Sequence, residues 1–347
     1  MAKIRMGVIG TGWWAVENHI PVLKTFEDVE LVAVCRLGDE ELRSVQTRFQ
    51  VNYATEDYQS LLMYPGLDAV VISSPHHLHY QHASAALKRG LHVLCEKPMV
   101  LHTSEADELA SLAESQRLHF LIPYGWNYTD FALEARNRLQ EGAVGDIQHV
   151  HCHMASALRD LFSGEEPWFA GDAFFKPDSR TWSDPTIGGG FAHGQLTHAL
   201  ALMYWITGLK VTEVFAMMGM SKTEADLSNC ICCRFQQGAT GMLGGTGTMP
   251  PHSIYQVDIR IFGTHGMLLL DVERPRLEIR RNDGNHFVMG TTHPPGEYRC
   301  VQPLRTFIDL VKGLPVENRS SAELGKRVVE TLAAAFDSAR NKMVQSI

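Results

Sequence analysis

The chain has 347 residues, more than one ordinary domain holds, and so predicts two domains. Hydrophobic residues at 45% and charged residues at 20% exclude a disordered or collagen-like chain, and a net charge of −8, from 31 Lys and Arg against 39 Asp and Glu, argues against a dedicated nucleic-acid binder. No apolar run approaches the roughly 18 residues that cross a bilayer, the N-terminus runs straight into a strand, and seven scattered cysteines fit reduced thiols, so the expectation is a cytoplasmic protein with no membrane partner.

In chain order, residues 3–9 are a short apolar strand that ends in Gly10-Thr11-Gly12-Trp13-Trp14-Ala15, and residues 19–26 carry helical spacing. A β-branched strand over 29–35 follows, then a polar helix over 39–49 and an apolar strand over 68–75. Residues 79–89 form a helix closed by Gly90, 92–98 a strand, 103–116 a helix with Thr103 as N-cap, and 119–124 a last strand. Near-continuous apolar strands alternating with helices predict a doubly wound parallel sheet, an α/β Rossmann domain over 1–125. Beyond it the rhythm changes. A helix near 131–141 and a strand near 147–155 lead into a Trp- and Pro-rich stretch reaching 187. A helix then follows Gly188-Gly189-Gly190, and strands are expected over 211–220, 228–236, 240–248, 253–262 and 266–272 before helices at 303–312 and 321–342. Residues 126–347 are thus read as a second domain built on a largely antiparallel sheet.

Gly10 and Gly12 let the backbone turn tightly and approach a pyrophosphate, and Ala15 permits close helix packing. Standing between the first strand and first helix, the turn predicts a dinucleotide, NAD or NADP, held by Gly10, Thr11 and Gly12 with Trp13 and Trp14 on the cofactor side. Arg36 stands where an acid normally takes the ribose hydroxyls of NAD. It either pairs with the 2′-phosphate of NADP, stacks on adenine, or points to solvent with Asp39 as ribose partner, and the reading leans to NADP. Ser73, Ser74 and Pro75 close the third predicted strand at the sheet's carboxyl edge, with His76 and His79 just beyond, all candidate cofactor contacts; no metal site is predicted. Glu96-Lys97-Pro98 follows the next strand, which brings Lys97 to the same edge as a candidate catalytic group.

With Gly10-Thr11-Gly12, Glu96-Lys97-Pro98, and Gly188-Gly189-Gly190 followed by His198, the sequence resembles the Gfo/Idh/MocA family of glucose–fructose oxidoreductase-like and inositol-dehydrogenase-like enzymes. The resemblance covers most of the chain and implies that residues 126–347 are an α/β domain with a largely antiparallel open sheet, for substrate binding and oligomerisation. It further implies a nicotinamide cofactor, sugar- or cyclitol-like substrates, a catalytic Lys97 before a cis Pro98, Glu96 near the nicotinamide ribose, and assembly through the second domain's sheet face into a homodimer or homotetramer. His198 falls where the family's catalytic histidine falls. The family's aspartate four residues earlier is missing, since that position is Gly194. Gln195 or His193 is the candidate to take over substrate positioning.

Arg159, Trp168, Lys176, Arg180, Trp182 and Asp184 in the preceding loop suit a carbohydrate pocket, in which aromatic faces stack on sugar rings; Asn127, after the last Rossmann strand, and Tyr124 are further candidates. His151 and His153 share one face of a strand, toward either the pocket or a polar sheet face. Cys230, Cys232 and Cys233 are read as small buried residues, and Met217, Met218 and Met220 as core or subunit contact. The function expected is hydride transfer between a secondary hydroxyl of a sugar, glycoside or cyclitol and nicotinamide. Two alternatives use the same residues: a redox-neutral NAD-dependent glycosidase working by transient oxidation, elimination, hydration and reduction, and a catalytically inactive cofactor-binding regulatory protein.

Overall fold

Alternating apolar strands and helices in the first third of the chain build a six-stranded, wholly parallel sheet in the computed structural model, which describes residues 3–290, 294–298 and 300–347. Met1 and Ala2, the start of the N-terminal lead-in, lie outside the described residues. The strands are β1 (Ile4–Ile9), β2 (Val29–Cys35), β3 (Tyr53–Thr55), β4 (Ala69–Ile72), β5 (His92–Cys95) and β6 (Phe120–Leu121), ordered β3-β2-β1-β4-β5-β6. This is the Rossmann order, which reverses between β1 and β4 and leaves a crevice at the carboxyl ends of those two strands. Strand β3 and the one-turn helix Tyr58–Leu62 fill a stretch for which periodicity predicts nothing, because each is too short to show a period.

The chain divides into two units by contacts, and the division is not a single cut near residue 125. The first unit comprises Met1–Pro123 together with Phe169–Thr181 and Cys300–Lys326. The physical reason is apolar burial. Leu304, Phe307 and Ile308 of the helix Val301–Val311 are buried against Val8, Val16, Ile20 and Val34, and Phe174 and Phe175 pack partly buried on the same cluster. Asp28 ties that helix down further, accepting from Arg305 at 2.8 Å and Lys312 at 2.7 Å.

The second unit, Tyr124–Trp168, Trp182–Arg299 and Arg327–Ile347, is built on a nine-stranded sheet. Its strands are β7 (Ile147–Ala155), β8 (Val211–Met220), β9 (Asp226–Phe235), β10 (Thr240–Thr246), β11 (Gln256–Gly263), β12 (Gly266–Asp271), β13 (Arg276–Arg281), β14 (Phe287–Met289) and β15 (Gln345–Ser346), in the order β14-β13-β12-β11-β7-β10-β9-β8-β15. All pairs are antiparallel except β7 with β10, so the sheet is mixed. Alternation along β7 buries Val150, Cys152 and Met154 and turns His149, His151 and His153 to the opposite, partly open face. The same alternation corrects one expectation. Cys233 is buried, but Cys230 and Cys232 are exposed, two residues apart on the outer side of β9. Among the described residues no helix is long and apolar enough to cross a membrane.

Acid sensitivity follows from one buried histidine of the first unit. Burial, reinforced by the neighbouring imidazoles of His79 and His77, pushes His82 down to about 4. The unfolded chain therefore binds the proton first, so the stability His82 contributes is complete above about pH 6.5 and is lost as pH falls through 4, worth roughly 3 kcal/mol at most. Urea midpoints at pH 7 and 4.5 should show wild type losing more stability on acidification than His82→Gln; equal losses would refute the assignment.

Candidate active site

At Gly10 the glycine turn is shaped by backbone contacts that leave no room for a side chain. Gly10 has φ +88°, its N–H donates to Cys35 O at 2.8 Å, and a Cβ on it would lie 2.5 Å from Ser74 Cα and 2.6 Å from Ser73 C. Gly12 differs. A Cβ there would meet nothing within 4 Å, so the space in front of it is open. Beside it the Thr11 hydroxyl is fully buried and, among the described residues, has no hydrogen-bond partner. An open approach to the backbone and an orphaned buried hydroxyl are what a bound pyrophosphate and its ribose would satisfy, so the residues present fit a dinucleotide. The helix that follows opens with a π turn, Ala15–His19, before Ile20–Thr25.

That π turn carries a residue that sequence reasoning missed. His19 is wholly buried and its Nε2 lies 2.7 Å from Glu96 Oε1, which also accepts from Trp14 Nε1 at 2.8 Å; Glu96 Oε2 accepts from the Lys97 N–H at 3.1 Å. Glu96 thereby links the glycine-turn helix to the lysine turn. Burial pushes its carboxyl up, but the His19 hydrogen bond and the His19 and Lys97 charges outweigh that and bring it down to about 2, so it is an anion. Lys97 is buried, and burial lowers its amine below the ordinary lysine value against the opposing pull of Glu96. The Lys97–Pro98 peptide bond is cis.

His79 anchors the far side of the same turn. Its Nδ1 lies 2.8 Å from Pro98 O and its Nε2 2.8 Å from Ser74 O, so both ring nitrogens are engaged inside the first unit and the imidazole is a brace between the ends of β4 and β5. Burial holds it below its ordinary value, against the two carbonyls, which favour a protonated ring. Ser74 Oγ lies 2.9 Å from His82 Nδ1, and His76 packs edge-on against His79 at 5.8 Å. Ser73 and Pro75 remain half-buried at the sheet edge, and Trp13 sits 5.4 Å from Trp14 and 5.3 Å from Phe169.

In the second unit His198 opens the helix Thr197–Thr207 and is buried in an aromatic enclosure: Tyr298 at 4.9 Å, Trp126 at 5.7 Å and Tyr124 at 6.0 Å, all edge-on. Tyr124 Oη is 3.2 Å from Thr197 Oγ1, Trp126 Nε1 donates to Glu297 O at 2.9 Å, and Gly125 N–H donates to Tyr298 Oη at 3.1 Å, so the enclosure is braced at each ring. Asn127, also fully buried, adjoins it in sequence. A second π turn, Ala192–Leu196, precedes this helix, and its first N–H, on Ala192, donates to Asp226 Oδ2 at 2.9 Å. Gly190, at φ +115°, must be glycine because a Cβ would overlap the Asp226 carboxylate. Burial raises that carboxyl to about 6, against its hydrogen bonds from Ala192 and Asn229.

The missing aspartate is explained by packing. A Cβ on Gly194 would stand 2.7 Å from Phe162 Cε1 and 3.6 Å from Trp182 Cζ3, so an aromatic ring fills the direction in which a carboxylate would project. Gly194→Asp is therefore expected to destabilise the protein by about 1–3 kcal/mol. Adding Phe162→Ala should recover part of that loss in urea unfolding, and a fully stable single variant would refute the packing account.

The other loop candidates are dispersed. His193 stacks on Phe336 at 4.9 Å, and Gln195 is buried in the π turn. Trp168 donates to Ala157 O at 2.9 Å and packs 4.4 Å from His252, while Trp182 lies beside Gly194. Arg159 is exposed, Asp184 caps the turn at Thr186, accepting from its N–H at 2.9 Å, and Arg180 and Lys176 belong to the first unit's segment Phe169–Thr181. His151 and His153 stack 6.3 Å apart on the sheet face, opposite Arg260 and Asp258.

Two family models match this chain: the oxidoreductase family with NAD-binding Rossmann fold over residues 4–124, and the GFO/IDH/MocA C-terminal domain over residues 132–269. The chain belongs to the Gfo/Idh/MocA oxidoreductase family. Its Rossmann half is thus of the NAD-binding type. Among curated relatives of the family, D-glucoside 3-dehydrogenase of Escherichia coli is 30% identical over 46% of this chain and 44% of that protein. The dTDP-3,4-didehydro-2,6-dideoxy-alpha-D-glucose 3-reductase of Streptomyces antibioticus is 26% identical over 81% of each chain. Matches to the first such relatives span about a third to a half of their length. The fold matches that of levoglucosan dehydrogenase in complex with NADH and L-sorbose, with a TM-score of 0.79 at 19% identity over 100% of this chain and 99% of that one.

Proposed function

We propose that the protein is a nicotinamide-dependent oxidoreductase acting on a secondary hydroxyl of a sugar, glycoside or cyclitol. The observation that carries this reading is Lys97: a buried lysine at the carboxyl edge of the Rossmann sheet, whose main-chain N–H donates to Glu96, the carboxylate that also meets Trp14 and His19 of the glycine-turn helix. The nicotinamide supplies the hydride acceptor or donor. Gly10, Thr11 and Gly12 hold the pyrophosphate, and Ser73, Pro75, Trp13 and Trp14 line the same carboxyl edge. His79 braces the lysine turn from inside and makes no direct contact in this assignment. Lys97 hydrogen-bonds the substrate hydroxyl and takes its proton in the oxidative direction, helped by burial that favours the neutral amine. His198 is the second acid/base group, and Trp182, Asn127 and Gln195 are assigned to the substrate side.

The names of the relatives support a carbohydrate-like substrate. Exposed Phe215, Met217, Met242 and Phe262 on one sheet face support self-association as a homodimer or homotetramer. The test is a panel of free sugars, cyclitols and aryl glycosides with NAD or NADP, read by reduced-nicotinamide absorbance and aglycone release together. A rise in absorbance with substrate is expected. Aglycone release without accumulating reduced cofactor would replace this reading with the redox-neutral glycosidase, and no turnover of any polyol would leave a cofactor-binding regulatory protein.

A further inference from the structure

Strand β2 ends at Cys35, and the next residue stands where a carboxylate would accept the ribose hydroxyls of NAD. Arg36 is half-buried there. Its Nη1 donates to Thr11 O at 3.1 Å and its Nε to Leu37 O at 3.2 Å, and its Cζ lies 4.2 Å from the centre of the Phe175 ring. Phe175 comes from the segment Phe169–Thr181, which is held on the first unit by three further contacts: Phe169 on Trp13, Phe174 under Arg48 at 4.3 Å, and Phe174 N–H donating to Glu17 Oε1 at 3.2 Å.

Among the described residues Arg36 forms no ion pair. The carboxylates nearby are committed elsewhere: Asp39 pairs with Arg43, and Glu56 accepts from the Gly38 N–H at 2.6 Å, while Glu41 acts on Arg36 only through space. A half-buried guanidinium without a counter-charge is costly, and its two carbonyl contacts leave Nη2 and one hydrogen of Nη1 undonated. The guanidinium lies beside the glycine turn and against the Phe175 ring, and its fork of N–H donors suits a phosphate.

We propose that Arg36 anchors the 2′-phosphate of NADP and that Phe175, stacked beneath it, is a specificity-determining residue for that phosphate. The assignment rests on the dinucleotide reading of the first unit. It makes cofactor choice a joint property of β2 and a segment more than a hundred residues away in sequence.

The experiment is calorimetric titration of the purified protein with 2′,5′-ADP and with 5′-ADP, which needs neither substrate nor turnover. Wild type is expected to bind 2′,5′-ADP at least about tenfold more tightly. Arg36→Ala should bring the two affinities together, and Phe175→Ala should cut the preference several-fold by freeing the guanidinium. Phe175→Leu, which keeps the apolar packing without the aromatic face, should do the same and serves if the alanine variant fails to fold. Equal affinities in wild type, tighter 5′-ADP binding, or a preference that survives Arg36→Ala would overturn the Arg36 assignment. Full preference in a folded Phe175→Leu protein would overturn the role of Phe175. If neither nucleotide binds, the dinucleotide reading itself fails, so the two failures are distinguishable.

Discussion

Lys97→Met is expected to lower kcat by about 10²- to 10⁴-fold while leaving nucleotide binding in place, because it removes the proton acceptor but keeps the length and apolar stem of the side chain. Lys97 is buried, and burial favours its neutral form while the Glu96 anion opposes it. The neutral fraction grows as pH rises, so the oxidative rate of wild type should increase with pH up to the lowered lysine value and then level off. Lys97→Arg separates the two roles a cation can play. It keeps the positive charge and cannot give up its proton at working pH, so it should be as inactive as the methionine variant if proton transfer is the role of Lys97. Steady-state kinetics across pH for the three proteins decide the matter. Substantial activity in Lys97→Arg would reduce Lys97 to an electrostatic contact, and kcat within tenfold of wild type in Lys97→Met would remove it from the chemistry altogether.

Much of this site is visible in local sequence, and the rest is hidden for one physical reason. The glycine turn, Lys97 and the Gly188 to Gly190 triplet are readable because each belongs to a short run of residue types in a fixed order, even though the contacts that demand Gly10 and Gly190 come from Ser74 and Asp226. His19 is not readable, because its meaning comes from Glu96, 77 residues later. Phe175 over Arg36 and the Tyr298–Trp126 enclosure of His198 are contacts of the same long-range kind, for which neither period nor spacing leaves a trace. Gly194 reads locally as a lost aspartate and becomes intelligible only beside the Phe162 ring. On the scale of elements, the strands missed are the weak ones. β13, RLEIRR, is charged on alternate positions like a surface turn, and β15 is two residues long; both lie at or near sheet edges, where pairing instead of apolar pattern defines the strand. The segment Phe169–Thr181 lacks periodicity, yet its phenylalanines place it on the first unit's core.

The two glycines of the first turn should respond in opposite ways to the same added methyl group. Gly10→Ala places a Cβ 2.5 Å from Ser74 Cα at φ +88°, where neither the backbone of the β4 loop nor the dihedral can yield cheaply, so both stability and nucleotide binding should fall. Gly12→Ala meets nothing within 4 Å, so the free protein should fold and melt as wild type does. If the open space before Gly12 is where the pyrophosphate approaches the backbone, the methyl group obstructs the ligand alone, and affinity for the dinucleotide should drop by at least about tenfold at unchanged stability. Gly12→Val, whose branches reach further into the same space, should remove measurable binding. Thermal melts with and without nucleotide read both quantities from one sample, since a ligand raises the midpoint only where it binds. Wild-type affinity in a folded Gly12→Val protein would mean that the turn is an ordinary strand-to-helix connection, and the orphaned Thr11 hydroxyl would then need another partner.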